Sequence, residues 1–169
     1  MKQYAAICLL TAALLAPGCA PLQKPLVLDR VGPAFAQHAS ADAKGTLIVF
    51  SAFDVHAHFN DLPYRRFYSD YEVLSEDGRL LQTVRNQQGL AEAPRHVELP
   101  AGAYRIAARA NGYGSVIVPV MIAADQVTTV DLGTGHLRRK ISMLSSNPVR
   151  LPDGQIVGYK ADSAASPKH

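Results

Sequence analysis

Two histidines one residue apart, His56 and His58, form the sharpest chemical constellation in the chain, with Asp54 before them and Asn60 and Asp61 after. Alternate residues of an extended chain share a face, so both imidazoles can bind one metal ion. Two ligands fall short of the three protein ligands usual in catalytic zinc sites. His38 or His96 would have to complete the set, and nothing in the spacing assigns either. The plain reading is a pair of histidines at a strand end leading into a loop. A metal-binding protein or metal-dependent hydrolase centred on His56 and His58 is the alternative. A second grouping is aromatic: Tyr64, Phe67, Tyr68 and Tyr71 with Arg65 and Arg66. Tyrosine beside arginine is typical of binding hot spots, so Tyr64, Arg65, Arg66 and Tyr68 are candidates for a surface that stacks on sugar or peptide. Packing of Phe67 and Tyr71 on the core is the competing reading. The absence of Trp and an aromatic content of 7% count against a carbohydrate-binding module, which stays a further alternative.

Other chemistry is missing from the sequence. Gly112-Tyr113-Gly114-Ser115-Val116 lacks the second glycine of a nucleophile elbow. No phosphate-cradling loop and no dinucleotide-binding glycine pattern occurs. Glu72, Glu76 and Asp77 surround one turn, where carboxylates are ordinarily solvated. No catalytic set emerges, so the expectation is a non-catalytic protein without cofactor.

The cysteines carry more information. Lys2 precedes an apolar stretch from Ala5 to Ala16, shorter than the ~20 residues of a membrane-spanning helix. It reads as the hydrophobic region of an export signal. The segment Leu15-Ala16-Pro17-Gly18-Cys19 that follows resembles the lipobox of bacterial lipoproteins. That resemblance implies cleavage after residue 18 and lipidation of Cys19. With Ala20 next, it also implies an outer-membrane address facing the periplasm. Cys8 would leave with the signal, so the two cysteines are not a disulfide pair. A plain secretory signal cut elsewhere is the alternative.

Composition bounds the rest. The chain has 169 residues, 48% hydrophobic and 18% charged, with a net charge of +3 and no block of like charges. It is neither a disordered chain nor a nucleic-acid-binding tail. Residues 20–44 are rich in Pro and Ala without sustained periodicity, which predicts a tether. Pairing of Leu26-Val27-Leu28 with the main sheet is the competing reading.

Seven strands are then expected, over residues 46–53, 71–74, 80–84, 96–99, 104–110, 115–122 and 127–132. Asp77-Gly78 and Asn111-Gly112 are hairpin signals. Tyr104, Ile106, Ala108 and Ala110 face one side and Arg105 and Arg109 the other, and Val116, Val118, Val120 and Ile122 share one face. Pro119 cannot donate a ladder bond and points to an edge or a bulge. The strand Leu80–Val84 is the better edge for accepting an added strand. Two packed antiparallel sheets bury both apolar faces, with a closed small barrel as the alternative.

Val97-Glu98-Leu99-Pro100-Ala101-Gly102-Ala103-Tyr104, then Asn111-Gly112-Tyr113, the valine strand and a threonine-rich last strand resemble carboxypeptidase regulatory-like domains. These are prealbumin-like sandwiches related to PEGA and Cna-B-type modules, and the resemblance implies a non-catalytic role in adhesion, spacing or assembly. The Asp-x-His-x-His string also resembles the first-strand motif of amidohydrolases, whose eight-stranded barrel needs more chain than is present.

The expected architecture is all-β: a seven-stranded antiparallel Greek-key β-sandwich with an N-terminal signal segment and a polar C-terminal tail. The divisions are a signal (residues 1–18), lipidated Cys and tether (19–44), sandwich (45–135) and tail (136–169). In the tail, His136-Leu137-Arg138-Arg139-Lys140 reads as a solvated basic cluster, and Leu151-Pro152-Asp153-Gly154 as the turn of a small hairpin. The expected partners are the membrane, through the lipid, and an envelope protein; no nucleic acid is expected. Cys19→Ser should move the protein from the membrane to the soluble fraction, and retention of the variant on membranes would overturn the lipid anchor.

Overall fold

A computed structural model describes residues 24–33, 43–56, 65–86, 93–133 and 147–160. Its spine is a long hairpin of β8 (Gly102–Ala110) and β9 (Gly114–Ile122), paired over their full length from Gly102 opposite Ile122 to Ala110 opposite Gly114. Ile106, Ala108 and Ala110 are buried, as are Val116, Val118, Val120 and Ile122, while Arg105 and Arg109 are exposed on the other face. This is the period of a half-buried strand. The connecting turn needs left-handed backbone, which Gly112 (φ 80°) and Gly114 (φ 68°) supply.

The described residues contain strands and no helix. β5 (Tyr71–Ser75) lies beside β8, and β6 (Leu80–Val84) pairs with β5 through the Asp77-Gly78 turn. β1 (Leu26–Val27) lies on the far side of β9, so the five-stranded sheet runs β1-β9-β8-β5-β6. A second sheet sets β2 (Lys44–Phe50) between β7 (His96–Pro100) and β10 (Val127–Asp131). Leu47, Val49, Val97, Leu99 and Val130 from this sheet join the valine face of the first in one buried cluster, an arrangement consistent with a β-sandwich.

Two expectations are corrected here. The strands exceed seven, and the sheets are mixed, because β1 runs parallel to β9 and β10 runs parallel to β2. The apolar run 46–53 does not continue as one strand. It breaks at Ser51-Ala52, where Ser51 Oγ donates to the Ser69 carbonyl (2.6 Å) and the Ala52 N–H to the Arg109 carbonyl (2.7 Å). Beyond the break, β3 (Phe53–His56) turns to a separate antiparallel partner, β4 (Arg65–Tyr68).

The tether expectation fails over residues 24–33. Leu26 and Val27 pair with Val116 and Ile117, and Val31 is 2% exposed. The Leu28 N–H donates to the Ile117 carbonyl (2.9 Å) and the Val31 N–H to the Pro119 carbonyl (2.9 Å), and the Met121 N–H returns to Val31 (2.8 Å). Pro119 therefore sits on an inner strand rather than at an edge. Its carbonyl faces the N-terminal segment, so its missing N–H also falls on that side, where pairing lapses between Val27 and Val31. No ladder bond to β8 is lost.

The tail boundary moves as well. β11 (Pro148–Arg150) and β12 (Ile156–Tyr159) form the hairpin expected around Leu151-Pro152-Asp153-Gly154, with Gly154 at φ 88°. Val149, Leu151 and Val157 belong to the core cluster, so these residues are part of the domain, not a solvated tail. The Gly32 N–H donates to the Tyr159 carbonyl (2.9 Å), and Lys160 pairs with Asp29 at 2.7 Å. The basic cluster 136–140 lies outside the described residues.

Val31 reaches the core only because residue 158 has no side chain. A Cβ on Gly158 would stand 2.4 Å from Val31 Cγ1. Gly158→Ala should destabilise the fold by roughly 1–3 kcal/mol through overpacking. The Val31→Ala, Gly158→Ala double variant should lose less than the sum of the singles in equilibrium denaturation. Additive losses would mean that the two positions do not compete for space.

Candidate functional site

The two flanks of the fold are unlike. On one, the N-terminal segment and the β11–β12 hairpin cover β9, and Gln155 Nε2 donates to the Asp131 carbonyl of β10 (3.3 Å). On the other, β6 and β7 end their sheets with no strand paired beyond them among the described residues. Between them lies a cleft of about 340 Å³, with Gln82 and Arg85 on one wall and Arg95, His96 and Glu98 on the other. Leu80 (53% exposed) and Leu81 (45%) are large apolar side chains left in solvent on β6.

Local chemistry explains why β6 is the strand left open. β5 alternates, burying Tyr71 and Val73 and exposing Glu72, whereas β6 carries only one buried residue, Val84. The ladder slips between Val73 and Leu74, and this bulge puts Leu80 opposite Leu74 with Leu81 unmatched. An edge strand natural proteins protect would carry charge or proline, and Leu80–Val84 has neither.

The turn before β6 is held by side chains. The Ser75 hydroxyl donates to the Asp77 carboxylate and accepts from the Arg79 N–H (3.0 Å), and the Ser75 N–H donates to the Arg79 carbonyl (2.8 Å). The Ser75 hydroxyl holds the Asp77 carboxyl below the ordinary aspartate range, helped by backbone N–H groups and the Arg79 charge. At the other end of β5, Tyr71 is buried and its hydroxyl has no hydrogen-bond partner. Burial pushes that hydroxyl far above the usual tyrosine range, so Tyr71 serves the core as a neutral side chain.

The candidate residues read from sequence fare differently. His56 ends β3 opposite Arg65, and Arg66 lies opposite Val55 on β4. His58, Tyr64 and Cys19 lie outside the described residues, as does His38. Tyr68 is no surface platform: it is 5% exposed and packs edge-on against Phe50 (centroids 5.8 Å apart) and Phe53 (6.0 Å). Edge-to-face packing of this kind is a core interaction, and it removes the ring face a sugar would need. Tyr71 is likewise core. No group of three or more potential metal ligands occurs among the described residues. Arg95, His96 and Glu98, which form the second wall of the cleft, are not legible in the sequence as a binding surface, because their nearness to Gln82 exists only across two sheets.

Ser75→Ala should raise the Asp77 pKa toward the ordinary aspartate value, read by NMR titration. The sign follows from linkage: a depressed folded-state pKa stabilises the turn above the unfolded aspartate range, and that contribution fades as pH falls through the depressed value. An unchanged Asp77 titration would mean that Ser75 does not hold the turn. Comparison of the chain with protein-family models, curated proteins and solved structures finds no match.

Proposed function

We propose that the protein is a non-catalytic, lipid-anchored module of the cell envelope, at the outer membrane facing the periplasm, that binds an envelope protein through its open β6 edge. The carrying observation is that edge itself: Leu80 and Leu81 exposed on an uncharged strand, beside a cleft walled by Arg85 and Arg95. An extended segment of a partner adds to such an edge through main-chain hydrogen bonds, and alternate side chains then enter the cleft. The proposal extends to the Greek-key sandwich of the carboxypeptidase regulatory-like type, whose loops and edges serve adhesion or assembly. The acylated Cys19 holds the module on the membrane, and the sheet presents the edge.

The test is a photo-crosslinker placed at Gln82 in the native envelope. A discrete adduct is expected from Gln82 and not from the exposed residue Gln126, which lies in the turn before β10. Leu81→Lys should abolish the adduct while changing stability by no more than ~0.5 kcal/mol, as for other surface substitutions. An adduct that survives Leu81→Lys, or that forms equally from both positions, would mean that the β6 edge is not the binding surface.

A further inference from the structure

Pairing of residues 24–33 with β9 has a consequence for how the domain meets the membrane. The chain from Cys19 to Lys24, where the described structure begins, spans five residue steps. Even fully extended, five steps reach only about 18 Å. β9 alone, with 9 residues, is about 30 Å long. A lipidated Cys19 therefore cannot hold the domain at arm's length, as a tether of residues 19–44 would have done.

The register fixes which end is held. Leu26 lies opposite Val116 and the strands run parallel, so Lys24 stands beside the start of β9, at the turn Asn111–Tyr113. The residues that follow β2 and β10 also reach this end, because the Ala52 N–H bonds the Arg109 carbonyl and the Asn111 N–H bonds the Leu132 carbonyl. Lys24, Arg109 and Asp70 are exposed here. The β9–β10 turn, with Gln126, lies at the opposite end of β9.

We propose that the end of the domain bearing Lys24, Arg109 and the β8–β9 turn is a membrane-facing surface, seated on the headgroups of the bilayer that takes the Cys19 lipid. This rests on the anchor proposed above. The short reach confines that end to the headgroup zone. β6 is four strands across the sheet from β1, so its edge stands away from the anchor point and open to a periplasmic partner.

The test uses the acylated full-length mature protein in vesicles of phosphatidylcholine and phosphatidylglycerol that carry a headgroup-linked energy acceptor. With Cys19 acylated, Ser115→Cys and Gln126→Cys each give one labelling site; both positions are exposed. Energy transfer from the Ser115 position is expected to exceed that from Gln126 several-fold. Equal transfer, or more from Gln126, overturns the orientation. The Cys19→Ser chain separates the two ideas: if it is released from vesicles the anchor stands, and the transfer ratio alone decides the orientation. If it stays bound, both the anchor and the inference fail.

Discussion

The placement of Val31 between β9 and β12 is the contact on which the rest of the arrangement depends. Its backbone exchanges bonds with Pro119 and Met121, its neighbour Gly32 bonds Tyr159, and its side chain fills the space left by Gly158. One residue thus joins the N-terminal segment, the spine hairpin and the C-terminal hairpin. Gly32 is itself constrained: at φ 118°, a Cβ there would stand 2.3 Å from the Met121 carbonyl oxygen. Backbone at such close approach has no room for a side chain.

This closure makes the molecule asymmetric. β9 would otherwise expose its outer carbonyls and N–H groups along an edge that includes Pro119. Residues 26–32 satisfy them in cis, and ion pairs between Lys160 and Asp29 and between Arg30 and Glu76 border the seam. Such exposed pairs contribute little to stability, so the seam is held by backbone bonds and by burial of Val31. The opposite flank has no equivalent cover among the described residues. The open flank runs along β6 and β7, where apolar side chains and unpaired backbone coincide with arginines across a cleft. That cleft brings together Gln82, Thr83, His96, Glu98 and two arginines.

Much of the fold was legible in local pattern. Alternation in Tyr104–Ala110 and Ser115–Ile122, with Asn111-Gly112 between, predicts the spine because period and turn chemistry are properties of neighbouring residues. The Asp77-Gly78 and Asp153-Gly154 turns are legible for the same reason. What misled was long range. Pro21, Pro25 and Pro33 exclude helix but do not exclude a short parallel strand, whose partner lies some 90 residues away in the chain. Tyr68 looks like a surface aromatic beside Arg65 and Arg66, yet it packs edge-on against Phe50 and Phe53, because the break at Ser51-Ala52 pairs β3 with β4, the strand that carries it.

By itself the sequence determined the strand-rich class, the main hairpins and the inward face of each long strand, since these follow from alternation and from glycine at left-handed turns. The resemblance of Leu15–Cys19 to a lipobox likewise rests on linear order alone. Only the tertiary structure decided which edges close and which stay open. Parallel pairing of β1 with β9 and of β10 with β2 joins segments distant in the chain, and no local propensity encodes such a choice. The same pairings leave β6 and β7 with no strand paired beyond them among the described residues. Which edges are covered is therefore a property of packing, decided on the β9 side where Val31 meets Gly158.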